Sequence, residues 1–306
     1  MEARRRTTRE IKILAGQYAA PRKPSLLEEE MIVVRNALLA IVGIVVAIVL
    51  LGWLGLQVQP QSFPAYPGNI PQLKTVPLPT GLPAPVERFY RTVYGEEIPV
   101  IETVIIQGQG VMKQFMNIPI PARFVFVHNA GKDYRHYFEA TLFGIPLLKV
   151  NEGYIDGASF FESPMASFYD DANSNQGANL ALWAEAIWFP ALWVTDARAH
   201  WEPVDENSAL LYVPYEGREE SFLVRFNPER GLVDMMEAMR YRDPGEDKAK
   251  ILWICRAEAG QPVAGSTISS IGSVMWLDQG QPWAYFNLEE LIYNVDVSTY
   301  IRQRGY

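Results

Sequence analysis

Twenty consecutive residues without a charged side chain, Ala37 to Leu56, constrain this chain more than any other feature of its sequence. An α-helix rises 1.5 Å per residue, so roughly 20 apolar residues cross a hydrocarbon core about 30 Å thick. The segment is apolar on every side, whereas a helix at the surface of a soluble domain carries a polar stripe. We therefore predict a transmembrane helix over residues 37–56.

Positive charge is concentrated before this segment. Residues 1–36 hold eight Lys and Arg against five acids, a net charge of +3. Because the whole chain has a net charge of −8, the remaining residues carry −11. Because Lys and Arg next to a membrane stay on its cytoplasmic side, we predict a basic cytoplasmic tail over residues 1–36 and a single-pass signal anchor in the cytoplasmic membrane. The domain that follows is then extracytoplasmic. The alternative, a cleaved signal peptide, typically has a shorter apolar region.

Residues 57–85 contain eight prolines and one charged residue, Lys74. Such a density of proline prevents helix formation and favours extended segments, which predicts a semi-rigid linker between membrane and domain. An alternative is that part of this segment packs on the domain through its apolar side chains, which are Phe63, Tyr66, Ile70 and Leu73.

Residues 86–306 are rich in short β-branched and aromatic runs separated by glycine turns, which predicts strands from Val86 onward. About ten such strands indicate a mainly β (α+β) fold, with one curved antiparallel sheet or half-barrel. Residues 179–193 differ, because their apolar side chains recur at helical spacing. We predict one helix there, with Asn179 as its N-cap and Pro190 at its end, capping the mouth of the sheet.

Five motifs occur in order, and together they resemble a bacterial family of uncharacterised proteins. They begin at Gln107 (QGQGVMK), Arg123 (RFVFVHNAGKDYRHYFEATLFGIPLLKV), Leu182 (LWAEAIWFPAL), Ala199 (AHWEPVDENSALL) and Ile271 (IGSVMWLDQGQPWAYFNLEELIYNV). The resemblance covers roughly residues 82–295 and implies a fold similar to the lipoprotein-carrier (Lol-type) half-barrel, wrapped around an apolar cavity. It implies no catalytic residue, because the activity of that family is unknown.

The sequence offers little for catalysis, and we predict neither a catalytic residue, a metal site nor a cofactor. Only three histidines occur; His128 and His136 fit a solvated cross-strand pair on a hairpin better than a metal site. The single cysteine, Cys255, lies in an apolar run and fits a small core residue, while Gly108 and Gly110 fit a β-bulge or turn rather than a nucleotide loop. The acidic charge argues against nucleic-acid binding.

Carboxylates leave one catalytic alternative open, an envelope hydrolase that uses Glu185 with Glu202 or Asp205. A glycosidase needs two converging carboxyl groups, and the spacing of these three does not establish convergence. The simpler interpretation of Glu185 is a helix-cap partner, or an ion pair with Arg123 or Arg240, that fixes the helix over the sheet. Arg123, Glu185 and Arg240 are therefore predicted as structural polar residues.

Large apolar side chains form the basis of the leading functional hypothesis. A curved sheet needs its interior filled, and these side chains can form either a solid core or the wall of a pocket. We predict a pocket for a lipid or other hydrophobic ligand, with the bilayer and membrane proteins as further partners. The alternative is a non-catalytic accessory subunit of a membrane complex. The predicted pocket residues are Phe126, Trp183, Ile187, Trp188, Trp201, Trp253 and Trp276.

Overall fold

The computed structural model describes residues 25–113, 117–245, 247–258 and 267–303. The chain divides into two compact units, one ending at Trp53 and one that runs from Leu54 onward. Most of the predicted basic tail lies outside the described residues, which begin at Ser25.

The described part of the first unit consists of Ser25 and one helix, α1 (Leu26–Gly55), whose most apolar stretch has a mean hydropathy of 2.9. Ser25 and Glu28 start it with a capping box: the Glu28 amide donates to Ser25 Oγ, and the Ser25 amide donates to the Glu28 carboxylate. Among the described residues, α1 is the one helix long and apolar enough to cross a membrane. Residues 26–36, which include charged side chains, are also helical, so α1 begins before the uncharged segment.

Thirteen antiparallel strands form one curved open sheet, and two short strands, β1 (Thr75–Pro77) and β2 (Glu97–Pro99), pair separately. The first seven strands of the large sheet are β3 (Thr103–Met112), β4 (Ile120–Asn129), β5 (Asp133–Leu142), β6 (Ile145–Ile155), β7 (Ala158–Glu162), β8 (Ser167–Tyr169) and β9 (His200–Asp205). The others are β10 (Ser208–Tyr215), β11 (Arg218–Phe226), β12 (Val233–Arg240), β13 (Ile251–Ala257), β14 (Ile271–Trp276) and β15 (Pro282–Tyr293). The predicted mainly β fold is confirmed, with more strands than the ten expected.

The strand order places the two ends of the sheet far apart. The order is β8-β7-β6-β5-β4-β3-β15-β14-β13-β12-β11-β10-β9, so β3 and β15 pair in the middle while β8 and β9 are the edges. These edge strands are consecutive along the chain. The segment between them therefore has to pass from one edge of the sheet to the other, and it contains the helices that pack on one face of the sheet.

That crossing segment holds α3 (Ala172–Ala184), a 3-10 helix (Glu185–Trp188) and α4 (Leu192–Thr195). The predicted helix is present, but it begins seven residues earlier than Asn179. Asp171 is the N-cap, because its carboxylate accepts from the Ser174 amide. Asn179 lies inside the helix and donates to the Pro214 carbonyl, so its predicted capping role was wrong.

A further helix, α2 (Ala84–Val93), occupies the place where strands were predicted from Val86 onward. Pro85 lies in its first turn, where a missing amide proton costs little. Val86, Phe89 and Tyr90 are buried along one side at helical spacing. No helix was predicted between residues 86 and 179, so α2 is an addition to the mainly β prediction for residues 86–306.

The two faces of the central strands belong to different cores, because neighbouring side chains of a strand point to opposite faces. Phe124 and Phe126 point into the large core under the helices. Val125 and Val127 point into a smaller core on the other face, where they meet Tyr137. Both faces are thus covered, which explains the unbroken apolar run of β4.

A short piece of the proline-rich segment, residues 61–66, covers the smaller core; we refer to it as the strap. Phe63 is 8% exposed within that core, and the Arg123 guanidinium lies 4.2 Å from the centre of its ring. Arg123 also donates to the Gln61 carbonyl, and the Tyr66 amide donates to Glu290. The alternative that this segment packs on the domain is confirmed for Phe63 and Tyr66, whereas Ile70 is exposed.

Gly108 lies at the middle of the sheet, where β3 meets an irregularity in β15. The register of β15 shifts between Leu288 and Glu290, opposite Gly108 and Gln107. A β-carbon on Gly108 would lie 2.2 Å from the Asn287 carbonyl oxygen, so only glycine fits. The predicted bulge is therefore present, but the extra residue belongs to the partner strand.

Candidate functional site

A cavity of about 560 Å³ opens between the curved sheet and the crossing helices. Aromatic side chains from β4, β13, β14, β15 and the 3-10 helix form much of its wall. On the helix side, the small residues Gly177, Ala178, Ala181 and Ala184 leave the space free. The aromatic residues that line it include Phe126, Phe138, Phe161, Trp188, Trp253, Trp276, Trp283 and Phe286.

Five of the seven predicted pocket residues line this cavity: Phe126, Ile187, Trp188, Trp253 and Trp276. The other two do not. Trp183 is fully buried in the core, where its carbonyl accepts a hydrogen bond from the indole of Trp193. Trp201 lies on the edge strand β9, with its ring against Trp193 and Phe226.

The three predicted structural polar residues are placed in different surroundings. Arg123 pairs with Glu139 at 2.6 Å, on the strap side of the sheet. Arg240 lines the cavity, where its guanidinium lies 4.2 Å from the centre of the Trp253 ring and donates to the Gly177 carbonyl. Glu185 contacts histidines instead of either arginine, so the predicted ion pair with Arg123 or Arg240 is replaced by a different arrangement.

His128, His136 and Glu185 meet at the wall of the cavity, and we call them the His–Glu cluster. His128 and His136 lie on the same face of the β4–β5 hairpin, and Glu185 begins the 3-10 helix above them. Glu185 Oε2 lies 2.8 Å from Nε2 of each histidine. Both histidines are buried, so the prediction of a solvated pair was wrong, although the hairpin that joins them is present.

A fourth residue extends the cluster toward the cavity. Nδ1 of His136 lies 3.0 Å from the Glu152 carboxylate, which comes from β6. His128 has no such second partner: its Nδ1 makes no hydrogen bond among the described residues, while its Nε2 faces Glu185 Oε2 at 2.8 Å. An unsatisfied polar group at 0% exposure carries a free-energy cost.

Burial and charge act differently on the members of the cluster. Burial lowers the pKa of His128, and the Glu185 carboxylate only partly offsets this effect. Burial acts in the same direction on His136, but Glu185 and Glu152 outweigh it and raise the pKa of His136. For Glu185, burial favours the neutral acid, yet the two histidines hold its pKa far below the ordinary value. The cluster therefore contains a stable negative charge on Glu185.

The other residues considered for catalysis are the two carboxylates on β9 and the single cysteine. Glu202 and Asp205 are exposed on β9, and neither lines the cavity. The structure thus gives Glu185 no second carboxylate from the predicted hydrolase set. Cys255 lines the cavity, but its burial raises the pKa of the thiol, which keeps it protonated and unreactive.

Sequence reasoning missed Glu152 and the small residues of α3. Glu152 lies in β6 next to other polar residues such as Asn151, and no motif distinguishes it from an ordinary surface acid. The signal for α3 was present: Gly177, Ala178, Ala181 and Ala184 recur at helical spacing, and such a stripe leaves room beside a helix.

Residues 72–288 match a protein-family model described as a family of unknown function, DUF6544. Comparison with curated proteins gives no significant match. Among solved structures, a LolA superfamily protein from Nitrosomonas europaea is similar over 73% of this chain and 99% of its own, with 8% identity and a TM-score of 0.43. A DUF1329 family protein from Desulfovibrio piger covers 66% of this chain and 91% of its own, with 10% identity and a TM-score of 0.40. The uncharacterised family expected from the motifs is thus confirmed, and similarities this low carry no inference about a ligand.

Proposed function

Because the chain belongs to the DUF6544 family, whose function is unknown, we propose from its own cavity that the folded domain binds the acyl chain of a lipid. The observation that carries this proposal is the aromatic-walled cavity of about 560 Å³. Ligand sites are typically concave, mostly apolar spaces of roughly 300–1,000 Å³ with a few polar groups. The volume lies within this range and aromatic rings form much of the wall, while charged side chains, among them Arg240, Glu152 and Glu185, line the rest.

The energetics favour a hydrocarbon ligand. Each methylene moved from water into an apolar site stabilises the complex by about 0.8 kcal/mol. Trp188, Trp253 and Phe286 offer wide apolar surfaces to such a chain, while the guanidinium of Arg240 lies beside Trp253 and can meet a polar head group. An accessory subunit, the alternative function, needs no internal space, so the cavity favours ligand binding over that alternative.

The proposal includes a membrane anchor. Helix α1 has the length and hydropathy of a single span. The basic residues before it favour a cytoplasmic N-terminus and a domain on the other side of the membrane. In this arrangement, the domain stays attached to the membrane that supplies its lipid. Protease added outside intact cells should remove the domain, whereas a protected domain would contradict the orientation.

Photo-cross-linking tests lipid binding in the full-length chain. The protein is placed in nanodiscs that contain a phospholipid with a photoactivatable group at the end of one acyl chain, and cross-linked peptides are identified by mass spectrometry. We expect adducts on peptides that carry Trp188 and Trp253, in addition to those on α1. Adducts on α1, the proposed membrane anchor, would report that irradiation worked.

A matched pair of variants on α3 shows whether the adducts come from the cavity. Ala181→Phe adds a large side chain where Ala181 lines the cavity, while Ala172→Phe makes the same change at an exposed position of the same helix. We expect the first variant to lose the adducts of the domain and the second to retain them. Adducts confined to α1 in the unmodified chain would refute the proposal.

A further inference from the structure

The His–Glu cluster brings together three side chains that metal ions use as ligands, supplied by β4, β5 and the 3-10 helix. Their donor atoms all lie within 4.8 Å of one another. A metal ion bound at about 2.0–2.1 Å from each ligand needs donor atoms roughly 3 Å apart. The distances of 2.8 Å from Glu185 Oε2 to the two Nε2 atoms are therefore close to what a shared ion requires.

The two histidines each carry a further mark of a ligand site. His128 is wholly buried; its Nδ1 makes no hydrogen bond among the residues that the structure describes, and its Nε2 faces the Glu185 carboxylate at 2.8 Å. An ion held between these two groups would take the lone pair of Nε2 and one carboxylate oxygen. Nδ1 of His136 faces the Glu152 carboxylate, which leaves Nε2 directed to the cluster. A carboxylate behind a metal-binding histidine fixes its tautomer and orientation in the same way.

We propose that His128, His136 and Glu185 bind a divalent transition-metal ion. Two imidazoles and one carboxylate suit Zn²⁺, and the same donor set with open positions suits Fe²⁺. Glu185 and Glu152 place two acidic side chains beside the imidazoles, which suits a cation. Because His136 and Glu185 line the cavity, the remaining coordination positions face it. The ion would thus be accessible to water or to a polar ligand group.

This inference does not depend on acyl-chain binding, because the cluster lies at the wall of the cavity and uses none of its aromatic side chains. The two proposals therefore fail separately. Lipid adducts without metal binding would refute only the metal site, and metal binding without lipid adducts would refute only the lipid site.

Metal analysis of the full-length protein tests the site. The chain is purified without chelators and with an affinity tag that lacks histidine, and its metal content is measured by mass spectrometry to distinguish zinc from iron. The protein is then stripped with a chelator and titrated with Co²⁺, whose visible absorption reports nitrogen and oxygen ligation. We expect about one bound ion per chain, as for a single site with three protein ligands.

Four variants locate the bound ion. Glu185→Gln and His136→Gln each remove a ligand and should weaken Co²⁺ binding at least 100-fold, whereas Glu152→Gln removes the outer carboxylate and should weaken it about 10- to 100-fold. His200→Gln is the matched control, because His200 is the third histidine and is about half exposed on β9. That variant should bind Co²⁺ as the unmodified chain does.

The unmodified chain alone is a sufficient test if a variant fails to fold. An unmodified protein that takes up no Co²⁺ overturns the proposal whatever the variants do. Uptake that persists in Glu185→Gln, or that is lost in His200→Gln, also overturns it, because the ion would then lie elsewhere.

Discussion

Glu139→Gln removes one buried charge while keeping the size of the side chain, and its effect can be worked out from the contacts of Glu139. The residue is 3% exposed. Its carboxylate accepts hydrogen bonds of 2.6 Å from Arg123 Nε and from Tyr137 Oη. Lys149 Nζ lies farther away, at 3.6 Å, and is largely exposed. Arg123 and Tyr137 therefore dominate the stabilisation of this charge.

The magnitude follows from these two bonds. A hydrogen bond to a charged group stabilises a folded protein by about 1.5–3 kcal/mol. The Gln side chain has one acceptor oxygen in place of the two carboxylate oxygens. One of the two hydrogen bonds therefore loses its acceptor, and the other is made to a neutral oxygen instead of a charged one. Arg123, with 21% of its side chain exposed, can still reach water. We therefore expect Glu139→Gln to lower the free energy of unfolding by about 2–4 kcal/mol, without the full cost of an isolated buried charge.

The dependence on pH separates the effect of charge from that of packing. Burial favours the protonated acid, but the bonds from Tyr137 and Arg123 hold the pKa of Glu139 below its ordinary value. The folded protein thus binds this proton more weakly than the unfolded chain, whose pKa is about 4.3. The stabilisation is fully present above that pH and is lost as the pH falls through the folded value. The difference between the two proteins should be constant from about pH 8 to 5 and shrink below about pH 4.

Urea unfolding of the full-length chain in detergent, followed by tryptophan fluorescence, measures these differences. Glu219→Gln is the control, because Glu219 is half exposed and its pair with His200 lies at the surface; it should change stability by less than about 0.5 kcal/mol. A Glu139→Gln effect as small as that of the control would refute the reasoning about buried bonds. A large effect that persists unchanged to pH 3 would show that packing, rather than charge, is responsible.

Three further outcomes follow from the structure. Trp193→Phe should lower the free energy of unfolding by about 1–3 kcal/mol, measured by urea unfolding, because the Trp183 carbonyl then lacks the buried donor it has at 3.0 Å. Asp171→Ala should cost about 1–2 kcal/mol and speed amide hydrogen exchange in the first turn of α3, because Asp171 caps that helix and also accepts from the Gly245 amide; exchange as slow as in the unmodified chain would contradict this role. In a series of fatty acids, the dissociation constant should fall about fourfold per added methylene until the cavity is full, and Ala181→Phe should stop the fall at a shorter chain; calorimetry that shows no dependence on length would contradict a hydrocarbon site.

The local features of the fold were predictable, while the pairing of distant strands was not. The helix α1 and the β4–β5 hairpin follow from apolar length and from apolar runs around a glycine turn. The pairing of β3 with β15 joins residues almost two hundred positions apart, and no local period encodes it. The edge strand β9 was missed because its side chains are mostly polar and exposed, so it lacks the apolar pattern of a half-buried strand.

The candidate site was predictable in composition but not in geometry. Aromatic residues indicated a pocket, yet Trp183 and Trp188 lie in different places, because residues five positions apart on a helix point about 140° away from each other. The change from α-helix to 3-10 helix at Glu185 further alters the direction of the side chains that follow. The meeting of Glu185 with His128 and His136 depends on that change and on the crossing from one sheet edge to the other. Neither is visible in the spacing of these residues along the chain.

An open sheet differs from a closed barrel in having edges, and this chain must keep its edges from pairing with other chains. Strand β8 is only three residues long. Strand β9 is longer and exposed, but it carries Pro203, which lacks an amide proton, between the acids Glu202 and Asp205. Proline and charge on an edge both oppose the addition of a foreign strand. In this open sheet, Glu202, Pro203 and Asp205 of β9 thus oppose the growth of the sheet by addition of strands from other chains.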